Sequence, residues 1–432
     1  MSDRHAKRYA AYKESGVEWL GKVPEPWALQ RHKDCFYFIS DRCADSTFLK
    51  VGLENIEGKT GRFIPTETEF DGDGIQFKKD DILFGKLRPY LAKVYLAEFR
   101  GNSVGDIFVY RCKRNTLPKF ARYLMLSDLY IDVINSSTAG AKMPRVSSSF
   151  ITDLPVAMPS IVEQSAIIFY LDTKTAQIDR QIELLNKKAT QHGKLKQSLI
   201  NETVTHGLDN SVPMKESGVE WIGKVPAHWD VKRGVDFLGL SSNQVDTNEM
   251  SNQDVFHYSI PVVQEIGTGR VEDGSDIESN KVRIAGEELL YSKLNPRKET
   301  VCITKLPLNG QLSVASGEFL VLKPFPGRSV LKFCYYLFCA TFNKERICST
   351  VKSATKSHQR ANPNDIHKLS FAIPSLLEQT AIAAYLDTKT AQIDRIVSTI
   401  NTQIDKLKEL RKTLINDVVT GKIKVIPEGE LA

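Results

Sequence analysis

Two short basic stretches carry the side chains from which a nucleic-acid reader could be built. Lys86, Arg88, Tyr90 and Lys93 follow the apolar run Asp81-Ile-Leu-Phe-Gly85, and Lys293, Asn295, Arg297 and Lys298 stand at the matching place after Glu288-Leu-Leu-Tyr-Ser292. Arginine and lysine pair with guanine or with phosphates, and asparagine and glutamine pair with adenine, so such residues at a strand end suit base reading. A second set lies later in each half: Lys142, Arg145 and Ser147, and then Lys356, His358, Gln359, Arg360 and Asn362. A solvated charged loop is the competing reading of both sets.

Other chemistries lack their parts. No glycine-rich loop ending in Gly-Lys-Ser/Thr is present to cradle phosphates, and Gly267-Thr-Gly269 alone is a turn signal. Asn362-Pro-Asn364 lacks the second proline and the aromatic residue of a base-methylating loop. Glu57-Gly-Lys59 has a nuclease-like spacing, but no further carboxylate can be assigned to a metal pair. The eight histidines are scattered, with no two at metal-ligand spacing on one helix. No catalytic residue, metal site or cofactor site is therefore expected in this chain.

The elements that would position the basic stretches are visible as repeats. Leu171-Asp-Thr-Lys-Thr-Ala-Gln-Ile-Asp-Arg180 returns unchanged as Leu386 to Arg395, an offset of 215 (386 minus 171). Pro159-Ser160 and Glu163-Gln164 lead into the first copy, Pro374-Ser375 and Glu378-Gln379 into the second; Leu199-Ile-Asn201 with Val204-Thr205 and Leu414-Ile-Asn416 with Val419-Thr420 follow. Alternate steps of four and three give Leu171, Thr175, Ile178, Ile182, Leu185, Ala189, His192, Lys196 and Leu199, and again Leu386, Thr390, Ile393, Val397, Ile400, Ile404, Leu407, Arg411 and Leu414. This is a heptad seam with polar interruptions. It predicts two helices of about 45 residues, each roughly 65 Å long, pairing antiparallel as repeats about a pseudo-twofold axis would. The alternative is that each stripe packs on its own globular body. Lys174, Gln177 and Arg180, with Lys389, Gln392 and Arg395, flank the seam identically in both copies and form a candidate partner-binding surface.

A second repeat, Glu14-Ser-Gly-Val-Glu-Trp-Leu-Gly-Lys-Val-Pro24 and Glu216 to Pro226, leads to Trp27 and Trp229 and contains the remaining two of the four tryptophans. Amphipathic rings so placed predict docking against the helical stalk. The expected order is an arm (1–27), a mixed α/β body (28–158), a repeated helical region (159–208), a linker with the second arm (209–229), a second α/β body (230–373), the second helical region (374–423) and a tail (424–432). Asp81 to Pro89, Gly105 to Tyr110, Glu288 to Pro296 and Gly317 to Leu322 read as strands; Lys119 to Val133 and Leu331 to Ile347 read as helices. The 432 residues are ample for two cores, 41% hydrophobic and 25% charged residues describe a globular chain, and a net charge of +6 permits nucleic-acid binding without demanding it. Seven cysteines without a Cys-x-x-Cys pair suit reduced thiols, with Cys334 and Cys339 as core residues. The charged start is not followed by an apolar core, so no signal peptide is expected, and the location expected is cytoplasmic.

Taken together, the Pro-x-x-x-Glu-Gln lead-ins at Pro159 and Pro374, the Leu-Asp-x-x-Thr-x-x-Ile-Asp phrase, the Leu-Ile-Asn-x-x-Val-Thr endings and the tryptophan-bearing arms resemble the DNA-specificity subunit of type I restriction-modification systems. One departure is His206-Gly207 where the second copy has Gly421-Lys422. The resemblance implies that each body is a target-recognition domain reading half of a split, asymmetric site in double-stranded DNA. It implies that the paired helices form an antiparallel coiled coil that sets the distance between the halves. It further implies that they bind two modification subunits, which methylate adenine at N6 with S-adenosylmethionine. Restriction subunits would add Mg²⁺- and ATP-dependent translocation and cleavage. Two rival readings are a nuclease acting through Glu57 and Lys59, and a coiled-coil scaffold with no DNA affinity.

Overall fold

The computed structural model describes residues 6–43, 48–68, 70, 72–140, 142–298, 300–305, 310–349, 351 and 359–425. They fall into two units, Met1–Asn186 with Thr402–Ala432, and Lys187–Asn401. Each unit therefore holds one body, the first part of one long helix and the last part of the other.

In the first body the run Ile82–Gly85 is a strand buried along its whole length, because both its faces are covered. Ile82 and Phe84 point into a core shared with the helices, while Leu83 joins Val51, Phe77, Tyr95 and Val109 on the opposite side. This side-to-side alternation is the period of a strand. The four-stranded sheet runs Val94–Leu96, Ile82–Gly85, Ile107–Cys112, Phe36–Ile39, all antiparallel, and a second four-stranded sheet lies beyond the outer core. The second body repeats the order with Val301–Ile303, Leu289–Ser292, Phe319–Pro324 and Leu238–Ser241, and here the other sheet has five strands. Leu289 and Tyr291 face one core and Leu290 the other. Ala28–Arg31 pairs with Pro155–Met158, and Asp230–Arg233 with Ser370–Ile373, so the two ends of each body meet as a strand pair. All four expected strands are present, though the first and third are shorter than their apolar runs.

The two expected body helices are each broken in the middle. Lys119 to Val133 forms Pro118–Leu126 and Asp128–Ser136, and Leu331 to Ile347 forms Leu331–Cys339 and Thr341–Ser349. Ser127 and Ala340 are extended at the breaks. A break leaves unpaired N–H groups at the start of the second helix, and an asparagine of a long helix accepts from them. Asn416 Oδ1 takes Leu129 N–H at 3.2 Å, and Asn201 Oδ1 takes Thr341 N–H at 2.8 Å. Apolar spacing alone cannot reveal this, because it continues through the break.

The long helices run Ile161–His206 and Leu376–Val419, 46 and 44 residues. All eighteen seam positions from Leu171 to Leu199 and Leu386 to Leu414 are buried or half-buried. The two packing alternatives both apply, at different places. Ile167, Tyr170 and Leu171 of the first helix, with Ile415, Val418 and Val419 of the second, complete the core of the first body. Ile382, Ala383 and Leu386, with Ile200 and Val204, do the same for the second. Beyond the body the helices meet each other through the polar seam positions. In the first unit Arg411 Nε lies 3.2 Å from Asp179, at ion-pair distance but not aligned as a hydrogen bond, and Arg62 binds the other carboxylate oxygen at 2.8 Å. In the second unit Lys196 binds Asp394 at 2.8 Å. Early residues of one helix thus meet late residues of the other, which is antiparallel pairing.

The lead-ins and the rest of the repeated phrase fasten body to helix. Gln164 is fully buried; its oxygen accepts Leu117 N–H at 2.8 Å, and its nitrogen donates to Asn115 and Pro159 carbonyls at 3.0 Å each. Gln379 does the same with Val330 N–H and the Pro374 and Arg328 carbonyls. Glu163 accepts from Tyr9 of the first arm; Glu378 accepts from Trp229 Nε1 at 3.0 Å and lies 2.9 Å from His228. Trp27 and Trp229 are completely buried, each in the core that its unit's long helices complete, as the docking expectation requires. Tyr123 Oη donates to Asp172 at 2.7 Å and sits 3.3 Å from Thr175 Oγ1; Tyr336 Oη donates to Asp387 at 2.7 Å and sits 3.1 Å from Thr390 Oγ1. A hydrogen bond to a charged partner contributes about 1.5–3 kcal/mol. Because the Asp172 and Asp387 side chains are about two-fifths exposed, Tyr123→Phe and Tyr336→Phe should each destabilise the chain by about 1–2 kcal/mol. The losses should add in the double variant, since the sites lie in separate units. Denaturant unfolding of the three variants checks this, and a loss below the resolution of the measurement would show that the tyrosines do not fasten the bodies.

Candidate nucleic-acid interface

The two basic sets of the first body, some fifty positions apart in sequence, come together at one edge. The strand Ile82–Gly85 ends in the turn Lys86-Leu-Arg-Pro89, and the loop before the long helix lies along it. Arg88 N–H donates to the Pro144 carbonyl at 2.8 Å, Val146 N–H to the Lys86 carbonyl at 3.2 Å, and Leu87 bridges Arg145. The second body repeats this arrangement: Asn295 N–H donates to the Gln359 carbonyl at 2.7 Å, Ala361 N–H to the Lys293 carbonyl at 3.0 Å, and Leu294 bridges Arg360.

A carboxylate that the basic pattern did not reveal stands between the two segments. Arg145 holds Asp106 with two bonds, Nε at 3.2 Å and a terminal nitrogen at 2.9 Å, and Lys86 Nζ lies 3.6 Å from the same carboxylate. The Arg145 bonds, with further help from Lys86, hold the Asp106 carboxyl below its usual range. Glu318 takes the equivalent place, bound by Arg360 at 3.1 and 2.8 Å. The backbone N–H groups of Lys86 and Lys293 bond the Asp106 and Glu318 carbonyls. The sequence carries the signal, since Gly105-Asp106 and Gly317-Glu318 stand immediately before corresponding strands, but a pattern of basic residues does not include an acidic one.

The remaining candidates differ in availability. Lys93 Nζ is turned inward onto the Leu53 carbonyl at 2.6 Å, whereas Lys293 Nζ donates to the Gly317 carbonyl at 2.6 Å in an exposed bond. Ser147 caps the short helix Ser148–Asp153, and Asn362 caps Pro363–His367, so both side chains already have structural work. Tyr90, Lys142, Arg297 and Lys298 are exposed, and Gln359 is half-buried. Lys356 and His358 lie outside the described residues. Arg88 adopts left-handed backbone, φ 49°, and so does Asn295, φ 49°. Asparagine visits this region readily, whereas arginine pays for the close approach of Cβ to the backbone. Each residue is followed by a proline that opens a short 3-10 turn.

Of the partner-surface candidates, Gln177, Arg180, Lys389, Gln392 and Arg395 are exposed and Lys174 is half-buried. Arg180 pairs with Glu183 at 2.7 Å, and Lys174 and Lys389 lie over the Tyr170 and Tyr385 rings. The nuclease-like pair occupies a turn: Glu57 accepts from Thr60, and Lys59, at φ 65°, accepts from Arg411 through its carbonyl at 3.3 Å. Among the described residues no cluster of histidine, cysteine and acidic side chains could hold a metal ion, and no helix is long and apolar enough to cross a membrane.

The fold thus defines an internally duplicated protein, with two mixed α/β bodies that each carry a basic loop cluster and are fastened to a repeated pair of long helices. No family model matches the chain. It is 21% identical over 444 aligned residues to the type I restriction enzyme MjaVIII specificity subunit of Methanocaldococcus jannaschii, covering 96% of this chain and 97% of the relative. It is 26% identical over 189 residues to the EcoDI specificity subunit of Escherichia coli, 42% of each chain. A solved chain from work on complex assembly and conformational transition of the type I R-M system superposes with a TM-score of 0.72 at 15% identity, covering 92% of this chain and 98% of that one. The HsdS subunit from Thermoanaerobacter tengcongensis gives 0.51 at 16% identity with the same coverage. In fold and over nearly its full length in sequence, the chain is similar to the specificity subunits of type I restriction-modification systems.

Arg88→Asn places in the first body the residue that the second body uses at the same backbone angle, and should stabilise the chain by about 0.5–1 kcal/mol by relieving strain. A higher thermal midpoint checks this; a lower one would mean that the Arg88 side chain holds the turn by contacts that outweigh the strain.

Proposed function

We propose that the chain is the DNA-specificity subunit of a type I restriction-modification enzyme, with residues 28–158 and 230–373 each reading one half of a bipartite, asymmetric site in double-stranded DNA. The observation that carries the reading is one turn built twice with different residues. Lys86-Leu-Arg88-Pro89 and Lys293-Leu-Asn295-Pro296 share backbone, carboxylate anchor and following loop, yet present arginine in one body and asparagine in the other. Asn295 keeps its side-chain oxygen buried, so the difference lies in what each turn offers at its surface, and one backbone plan with different side chains in the two bodies is what an asymmetric site asks for.

The repeated helices serve as the scaffold for two modification subunits, with restriction subunits joining the assembly. Gln177, Arg180, Gln392 and Arg395 support this, because identical exposed residues in both copies suit two identical partners. The chain itself contributes no catalytic group. S-adenosylmethionine belongs to the modification subunits, ATP and Mg²⁺ to the restriction subunits, and the assembly works in the cytoplasm.

Binding and turnover by the purified chain test the reading against its two rivals. The full-length chain should bind duplex DNA with an affinity that falls as salt rises, by a slope of about 0.9 per phosphate contacted. With Mg²⁺, ATP and S-adenosylmethionine it should leave the DNA uncut and unmethylated. Cleavage that disappears in Glu57→Ala would support the nuclease, and absence of salt-sensitive affinity would support the bare scaffold.

A further inference from the structure

Arg145 and Arg360 share a geometry that goes beyond closing a loop. In both bodies the carboxylate is the more enclosed partner: the Asp106 side chain is 23% exposed against 49% for Arg145, and Glu318 29% against 64% for Arg360. In both, the carboxylate takes Nε and one terminal nitrogen of the guanidinium. A guanidinium has five N–H donors in a fixed fork. Binding it along this edge leaves three donors on the two terminal nitrogens, the edge that pairs with the O6 and N7 acceptors of guanine. A long side chain that would lose rotamer freedom on meeting DNA is already held in one orientation. The carboxylates are held in turn: each stands immediately before a central strand, and its carbonyl accepts from the N–H of Lys86 or Lys293, the first residue of the left-handed turn. The bodies have different loop sequences around these pairs, and one body uses aspartate where the other uses glutamate.

We propose that Asp106 and Glu318 are positioning residues for base reading, each aiming one arginine, Arg145 or Arg360, at one base pair of its half-site. The inference rests on the reading of the chain as a DNA-specificity subunit. A surface carboxylate among lysines otherwise works against DNA binding, since it repels phosphate and cancels one cation. Its removal therefore separates two roles by sign. A carboxylate that only neutralises its surroundings, when removed, leaves base preference unchanged and raises affinity for every sequence. A positioning carboxylate, when removed, relaxes preference at one base pair while affinity for unrelated duplex does not fall.

The experiment is selection of the full-length chain on a randomised duplex library, with wild type, Arg145→Ala, Asp106→Asn, Arg360→Ala and Glu318→Gln compared by the enriched sequences and by thermal unfolding. Arg145→Ala should lose about 5- to 150-fold discrimination at one position of one half-site, the range of a bidentate base contact. Asp106→Asn should relax that same position, with the wild-type unfolding midpoint and the other half-site unchanged. Arg360→Ala and Glu318→Gln should do the same in the other half. An unchanged profile in Asp106→Asn and Glu318→Gln overturns the proposal. So does loss of preference across a whole half-site together with a fallen midpoint, which would make the pairs elements of the fold. Enrichment of no sequence by the wild type would refute the DNA-specificity reading itself, a failure distinguishable from the other two.

Discussion

A tyrosine hydroxyl bound to an aspartate, beside a threonine one helical turn further on, fixes each body to its long helix. Tyr123 with Asp172 and Thr175, and Tyr336 with Asp387 and Thr390, are the same construction made twice. The constraint is strict because the tyrosines are almost fully buried and a buried hydroxyl without a partner is costly. Burial also pushes the Tyr123 hydroxyl up to about 12, so it remains a donor at any physiological pH. The body helix must then meet the long helix at one height and one rotation. The buried amides of Gln164 and Gln379, bound to the starts of the same body helices, fix the other end of that contact.

This fastening explains how sequence could be kept in one part of the chain while another part diverged. The lead-in and the repeated phrase are both occupied: Gln164 and Asp172 hold the body, Glu163 the arm, Ile178 the seam, and Asp179 the opposite helix through Arg411. From each body this fastening draws a tyrosine and the starts of its two helices at the right place. Their outer edges carry different side chains on one backbone plan, as at Arg88 and Asn295.

Much of this was legible in the sequence, for a physical reason. Heptad spacing and buried strand runs are local patterns, so the long helices, the seam and the strands around Leu83 and Leu290 could be read directly. Partners distant in sequence could not. The apparent polar interruptions at Lys196 and Arg411 are ion-pair positions facing Asp394 and Asp179, which no periodicity within one helix reveals. The breaks at Ser127 and Ala340 are stabilised by asparagines of the long helices. In the basic loops, residue type alone could not separate Lys93, turned inward onto a carbonyl, from Arg145, held outward by Asp106.

The proposed function makes the two bodies interchangeable readers on one scaffold, and a chain with residues 230–373 in both body positions tests that proposal most directly. Its binding site, read by selection on randomised duplex DNA, should contain two copies of the half-site that the wild-type second body reads, and the chain should unfold near the wild-type midpoint. A chain that fails to fold, or that still selects the wild-type asymmetric site, would contradict the account.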